Sequence, residues 1–306
     1  MNDLSTTSTN TSSEALAGFL KKAVIDTLGE ELGSYFTDLE KGLEGKTHHR
    51  TFFMAFGSAP RKLGKKPLAF TEESAKEALS VSKDWAPWTW EVDEALRVWL
   101  ILQIPVTDKE TYVSRVMEIY ETADMRELAA IMKALPFTAF PEEFVRLGEE
   151  GVRTNMSNVL EAIALHNVYP QRHFNENSWN QMFLKCIFTD RTIYKIWGID
   201  KRNNQELSRI ITDYAHERWA ASRTVTPEIW RPVAPFLGKE AVGDIKKIIN
   251  NENPIQQIAA ALVCRDSEVE EIRQLLDSRE DLSQRITEEK LDWDWVGQAW
   301  EQHNKA

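Results

Sequence analysis

The chain has 306 residues, 42% hydrophobic and 28% charged, an ordinary globular composition with enough apolar material for a large core. Its formal net charge of −11 repels phosphate backbones, so nucleic acid is not an expected partner, and the one short basic run, Arg61 to Lys66, reads as a solvated loop. No run of about eighteen apolar residues and no basic-then-apolar N-terminal segment occurs, so neither a membrane-spanning helix nor a standard secretory signal is expected.

Two widely separated cysteines, Cys186 and Cys264, read as buried free thiols in a reducing, cytoplasmic setting, with a disulfide as the alternative. Residues 1–13 are rich in Ser, Thr and Asn, and a disordered tail is expected there. Ser13 then caps a helix carrying Leu16, Phe19, Leu20 and Val24, and a second helix runs to Leu43 and stops at Gly45. The apolar stretch from His48 to Phe56 fits strand or buried helix. Its helical neighbours favour helix, ended by Pro60 and the basic loop.

Thr71 opens a helix through Ala78 and Leu79, and Trp85, Trp88 and Trp90 crowd the turn after it. That cluster reads either as packing between helices or as an apolar platform. Thr89 is the expected cap of the next helix, with Asp93 and Glu94 in its first turn and Ala95, Val98, Trp99 and Leu102 as its buried stripe. Asp108 and Asp124 cap two more, and Pro141 suits a helix start, with Gly151 as a possible break. Further helices are expected near 154–165, 179–188, 192–197, 205–222, 227–236, 242–250, 254–264, 268–276 and 288–302. No stretch alternates with period two, and helix pairs recur at roughly 35 to 45 residues, the spacing of helical repeats. The expected fold is all-α: stacked helix pairs in a HEAT-like α–α superhelix.

Polar residues concentrate between Asn167 and Arg223. The helix from Trp179 to Phe188 is apolar on nearly every side, which predicts a central position, and Asn180 within it either holds a neighbouring turn or faces a ligand. Asp213, His216 and Glu217 stand at i, i+3 and i+4, a spacing that suits metal ligands or a histidine oriented by a carboxylate, and equally a solvated charged face. Arg218 shares a side with Tyr214; it reads as one half of an ion pair, as a side chain snorkelling past the tyrosine, or as an anion-binding group. The Asn167-Val168-Tyr169-Pro170 segment reads as a turn. No phosphate loop, nucleophile elbow or Cys-x-x-Cys is present, and no cofactor or metal is expected.

Five stretches together resemble the EboA family: HRTFFMAFGSAPR (His49 to Arg61), ETADMRELAAIMKALPF (Glu121 to Phe137), EGVRTNMSNVLEAIALHNVYP (Glu150 to Pro170), WNQMFLKCIF (Trp179 to Phe188) and DYAHERWAASRTVTPEIW (Asp213 to Trp230). The resemblance implies an EboA-like domain over 14–276, after the 1–13 tail and before a Trp-containing helical extension over 277–306. It also implies a bacterial-type protein of metabolite traffic, encoded beside prenyltransferase-like, sugar-phosphate-cyclase-like and hydrolase-like enzymes. Such clusters are linked to moving secondary-metabolite precursors, such as that of scytonemin, from cytoplasm to periplasm. The family brings no assigned catalytic residues, so the candidates rest on chemistry alone: Arg153, Asn155, Asn167, Tyr169, Asn180, Asp213, Tyr214, His216, Glu217, Arg218 and Arg223.

The leading expectation is a non-enzymatic helical protein that binds a small, partly apolar metabolite or docks a cluster-encoded enzyme. One alternative is an enzyme using Asp213 and His216 as an acid–base pair, with Arg218 or Arg223 holding an anion. The other is a helical-repeat scaffold without a small-molecule pocket.

Overall fold

Good helix formers, carboxylate and hydroxyl caps, and apolar residues spaced three and four apart dominate the chain, and the structure is helical almost throughout. It is a computed structural model that describes residues 5–44 and 48–304, with side chains from Ser13 onward. Among the described residues there is no strand, only an isolated bridge between Pro67 and Glu91. The fold is all-α. The chain divides into two compact units, one ending at Asn175 and one beginning at Glu176.

The first unit holds α1 (Ser5–Leu28), α2 (Leu32–Glu44), α3 (His48–Leu63), α4 (Glu72–Val81), α5 (Val92–Leu102), α6 (Lys109–Thr122), α7 (Met125–Ala134), α8 (Val145–Arg153), α9 (Ser157–Ala164) and α10 (Tyr169–His173). Of the expected tail, residues 1–4 lie outside the described residues. From Ser5 the backbone belongs to α1, so Ser13 is an interior residue rather than a cap. Pro60 lies inside α3, which runs on to Leu63 and stops at Gly64 with φ +84°. Gly151 lies inside α8, where an added Cβ would come within 2.7 Å of Met132 Sδ; it is a close-packing glycine, not a break.

The core of the first unit is built on α5, which packs against α1, α3 and α7, while α7 packs in turn against α9. Every residue of α5 from Val92 to Ile101 is buried except Glu94. Its cap is Glu91, in a reciprocal box with Glu94, and not Thr89, which sits in the 3-10 turn Pro87–Thr89. Two charges lie inside this helix. Asp93 is fully buried and Arg97 is 1% exposed. Arg97 donates from Nη1 to Asp93 Oδ2 at 2.7 Å and from Nε to Phe56 O at 3.0 Å. Arg126, from α7, donates to both oxygens of Asp93 at 2.7 and 2.9 Å. Full pairing is what makes such burial tolerable, because an uncompensated buried charge costs about 3–5 kcal/mol. The tryptophan turn serves packing: Trp85 and Trp90 are buried, and Trp85 Nε1 donates to Ala78 O at 2.8 Å.

The second unit holds α11 (Glu176–Phe188), α12 (Ile199–Arg202), α13 (Gln205–Ala220), α14 (Trp230–Val233), α15 (Val242–Ile249), α16 (Pro254–Asp266), α17 (Glu270–Asp277), α18 (Glu280–Glu288) and α19 (Trp293–His303). The helices expected over 192–197 and 227–236 are reduced to 3-10 turns and the short α14. The stretch expected to be centrally buried, α11, has an open side, since Phe188 is 56% exposed. The helix enclosed on all sides is α16, against which α14, α15, α17, α18 and α19 pack and whose residues from Ile258 to Cys264 are all buried. Small side chains explain this: Ala259, Ala260 and Ala261 let neighbours approach from every direction. Cys186 and Cys264 are both free and buried, and burial pushes the Cys264 thiol up to about 12.

Candidate functional site

Several of the predicted polar residues of the second unit hold its helices and turns in place. Asn180 is buried and forms a reciprocal amide pair with Asn204, donating at 3.2 Å and accepting at 2.8 Å. Asn204 caps α13, its Oδ1 accepting from Leu207 N at 2.9 Å. Asp213 does not meet His216. It is exposed and accepts from Arg209 Nη1 at 2.8 Å, while His216 Nε2 reaches Asp244 Oδ2 at 2.7 Å. Side chains at i and i+3 on one helix point apart when each finds a better partner elsewhere, so the expected acid–base pair does not form. Arg218 lies over the Tyr214 ring, 6.0 Å from its centroid, and donates to Thr224 O at 3.0 and 2.8 Å, closing the turn after α13. Tyr214 itself packs on Phe188, with ring centroids 5.2 Å apart. Glu217 and Arg223 are exposed. Arg223 borders a shallow recess of about 200 Å³ with Trp219 and Lys247.

In the first unit Asn167 and Tyr169 likewise bind backbone. Asn167 spends its side chain on backbone: Nδ2 donates to Met132 O at 2.9 Å and Ala162 O at 2.8 Å, and Oδ1 accepts from Tyr169 N at 2.9 Å. This fixes the left-handed turn at His166, φ +53°. Tyr169 is fully buried, begins the short α10 and donates its hydroxyl to Pro141 O; burial pushes that hydroxyl well above the ordinary phenol range. Arg153 ends α8 with a 3.5 Å ion pair to Glu149, and Asn155 is exposed.

A different part of the first unit has the form of a site. Between α2, α3 and α6, a cavity of about 410 Å³ opens beside the segment 104–107. That volume lies in the range of small-molecule pockets, roughly 300–1,000 Å³. Leu43, Phe52, Ile104 and Ile119 form buried apolar walls, and Phe53 continues them toward solvent. The sequence folds this way because α3 begins His48-His49 and continues into Phe52-Phe53, so one face of the helix carries both imidazoles and both rings. His49 Nε2 meets Glu118 Oε1 of α6 at 2.8 Å. His48 Nε2 is buried and has no hydrogen-bond partner among the described residues. Burial, helped by the nearby Arg115 and His49, holds His48 below the ordinary imidazole range, so its ring is neutral at pH 7. Arg115 also lines the cavity and makes no hydrogen bond or ion pair among the described residues. A wider cleft of about 520 Å³ lies beside α1, but Lys21 and Glu40, which line it, are paired with each other at 2.7 Å.

The profile of the EboA family, described as metabolite traffic protein EboA, matches residues 16–234. The chain belongs to the EboA family. No curated protein and no solved structure matches it. The EboA match spans the whole of the His48 cavity, and it stops just past the end of α14, before α15 to α19. No helix among the described residues is long and apolar enough to cross a membrane, and no group of three or more His, Cys, Asp or Glu is placed to hold a metal ion.

Within this EboA-family chain, the sequence reading passed over His48, His49, Arg115 and Glu118 as site residues. The signal was present at the start of α3, where His48 and His49 precede Phe52 and Phe53, but the partners on α6 lie more than sixty residues away. It also passed over Glu228, which lines a second cavity, of about 220 Å³, with Thr226, Trp300 and Glu301. Glu228 is buried and accepts from Tyr194 N at 2.7 Å. Burial, and then the neighbouring Glu301 carboxylate, push its carboxyl up to about 7, against the backbone donors and Arg231.

Proposed function

We propose that this EboA-family protein is a non-enzymatic binder that holds a small, partly apolar metabolite in the His48 cavity. In this reading it takes part in the movement of a secondary-metabolite precursor from the cytoplasm toward the periplasm, itself staying on the cytoplasmic side and handing its cargo to or from a cluster-encoded enzyme. The observation that carries the reading is the cavity: aromatic and aliphatic walls around two polar groups, His48 Nε2 and Arg115, that nothing in the described chain satisfies. Buried polar groups are ordinarily hydrogen-bonded, and those left open at the wall of an apolar cavity are where a ligand supplies the partner. The family's description as a metabolite traffic protein supports the same reading. The row of alternate helices α5, α7 and α9 in the first unit supports a HEAT-like stack as its framework.

The acid–base alternative has lost its geometry, since Asp213 and His216 have separate partners. Native mass spectrometry tests the proposal on protein purified from a host carrying the whole cluster. A co-purifying small molecule is expected on the unaltered chain and absent from Thr107→Trp, which places an indole at the exposed rim of the cavity. A ligand retained in full by Thr107→Trp and by the deeper Ile119→Trp, or none on the unaltered chain, would count against it.

A further inference from the structure

We infer that the His48 cavity selects organic anions: molecules with a flat or branched apolar body and one acidic head, carboxylate, sulfonate or phosphate. This rests on the reading of the cavity as a binding site and adds the class of ligand. The apolar half of the argument is the Phe52 and Phe53 walls with Ile119 behind them. The anionic half is Arg115. On α6 it stands three residues before Glu118, a spacing at which the two would normally pair. Glu118 is turned instead to His49, at 2.8 Å. Asp108, the other carboxylate near Arg115, is committed to the N-cap of α6, where it accepts from Thr111 N at 2.8 Å. Glu44 stands at the rim and is exposed. The guanidinium therefore faces an apolar cavity with its donors open.

A half-buried arginine in that position is an unsatisfied fork of donors, and a planar anion is the group that fits it in two parallel hydrogen bonds. His48 reinforces the choice. Its ring is near enough to Arg115 for the guanidinium to oppose its protonation, and its buried Nε2 lacks a partner. An anion seated on Arg115 reverses that opposition and lets the imidazole serve as a second donor. The cavity is thus lined so that a neutral apolar ligand satisfies its walls but leaves both polar groups without a partner.

The test uses two dyes with the same apolar skeleton, 1-anilinonaphthalene-8-sulfonate and neutral N-phenyl-1-naphthylamine, titrated into the folded full-length protein. The sulfonate is expected to bind at least about tenfold more tightly than the neutral dye, as one charge-assisted hydrogen bond allows. Arg115→Gln is expected to remove that preference, weakening the sulfonate and not the neutral dye, and Arg115→Lys to keep part of it. Because Arg115 makes no hydrogen bond or ion pair among the described residues, unchanged thermal melts should accompany both variants. Equal affinity for the two dyes, or a preference that survives Arg115→Gln, overturns the anion inference and leaves the cavity reading standing. Dye binding that is absent, or that Thr107→Trp and Ile119→Trp fail to block, overturns the cavity reading and this inference with it.

Discussion

At the scale of single residues, Glu228 has a measurable consequence. In the folded chain its carboxyl keeps its proton up to about 7, whereas an ordinary glutamate releases it near 4.5. Between those values the folded state binds more protons than the unfolded state, so stability falls as pH rises through that window. The full penalty is on the order of 3 kcal/mol and is reached above pH 7. Glu228→Gln keeps an acceptor for Tyr194 N and carries no charge at any pH. Urea melts from pH 4.5 to 8 should show it more stable than the unaltered chain above pH 7, with a flatter slope below; parallel curves would refute the assignment. Nothing in the local sequence, Pro227-Glu228-Ile229, shows this. Burial comes from α19, whose Glu301 also raises the carboxyl and lies more than seventy residues away. Arg97 forms an internal ion pair with Asp93, four residues before it: the spacing is visible in the sequence, but that both charges lie inside an enclosed helix is not.

Among the elements, caps and helix bodies followed from sequence and helix neighbours did not. Asp108, Asp124 and Thr71 all cap as their residue types require, each accepting a backbone N–H from the first turn. The 3-10 segments were not separable from α-helix, because both show apolar residues three apart. Packing between elements also decides the sign of substitutions. Gly297 sits inside α19, where alanine would ordinarily gain about 1 kcal/mol. Here an added Cβ would fall 2.6 Å from Tyr194 Cβ and 2.5 Å from its Cγ, atoms too near the backbone to swing away. Gly297→Ala should therefore destabilise by about 1–3 kcal/mol, as overpacking does. A thermal midpoint equal to or above that of the unaltered chain would show that α19 does not seat on the 193–195 turn as described.

On the scale of the whole molecule, each unit has its own enclosed helix, α5 in the first and α16 in the second. Of the stretch 277–306, expected as an extension, the described residues pack on α16 through α18 and α19, with Leu282, Ile286, Leu291 and Val296 buried. Each such side chain contributes roughly 1.5–3 kcal/mol when removed from water. A chain ended after Asp277 should lose hydrogen-exchange protection across α16; protection equal to that of the full chain would make the last two helices dispensable.

The sequence by itself determined the all-α class, most helix positions, the caps at Thr71, Asp108 and Asp124, and the family, because these depend on neighbours within a few residues or on matched stretches of chain. Only the tertiary structure decided which helix is enclosed, that Asp213 and His216 have different partners, and that the cavity with open polar groups lies at His48 and Arg115 rather than between Asn167 and Arg223. The physical reason is the same in each case. A charged or aromatic residue takes its role from whichever group lies within about 3–4 Å of it, and in this chain that group is usually supplied by another helix.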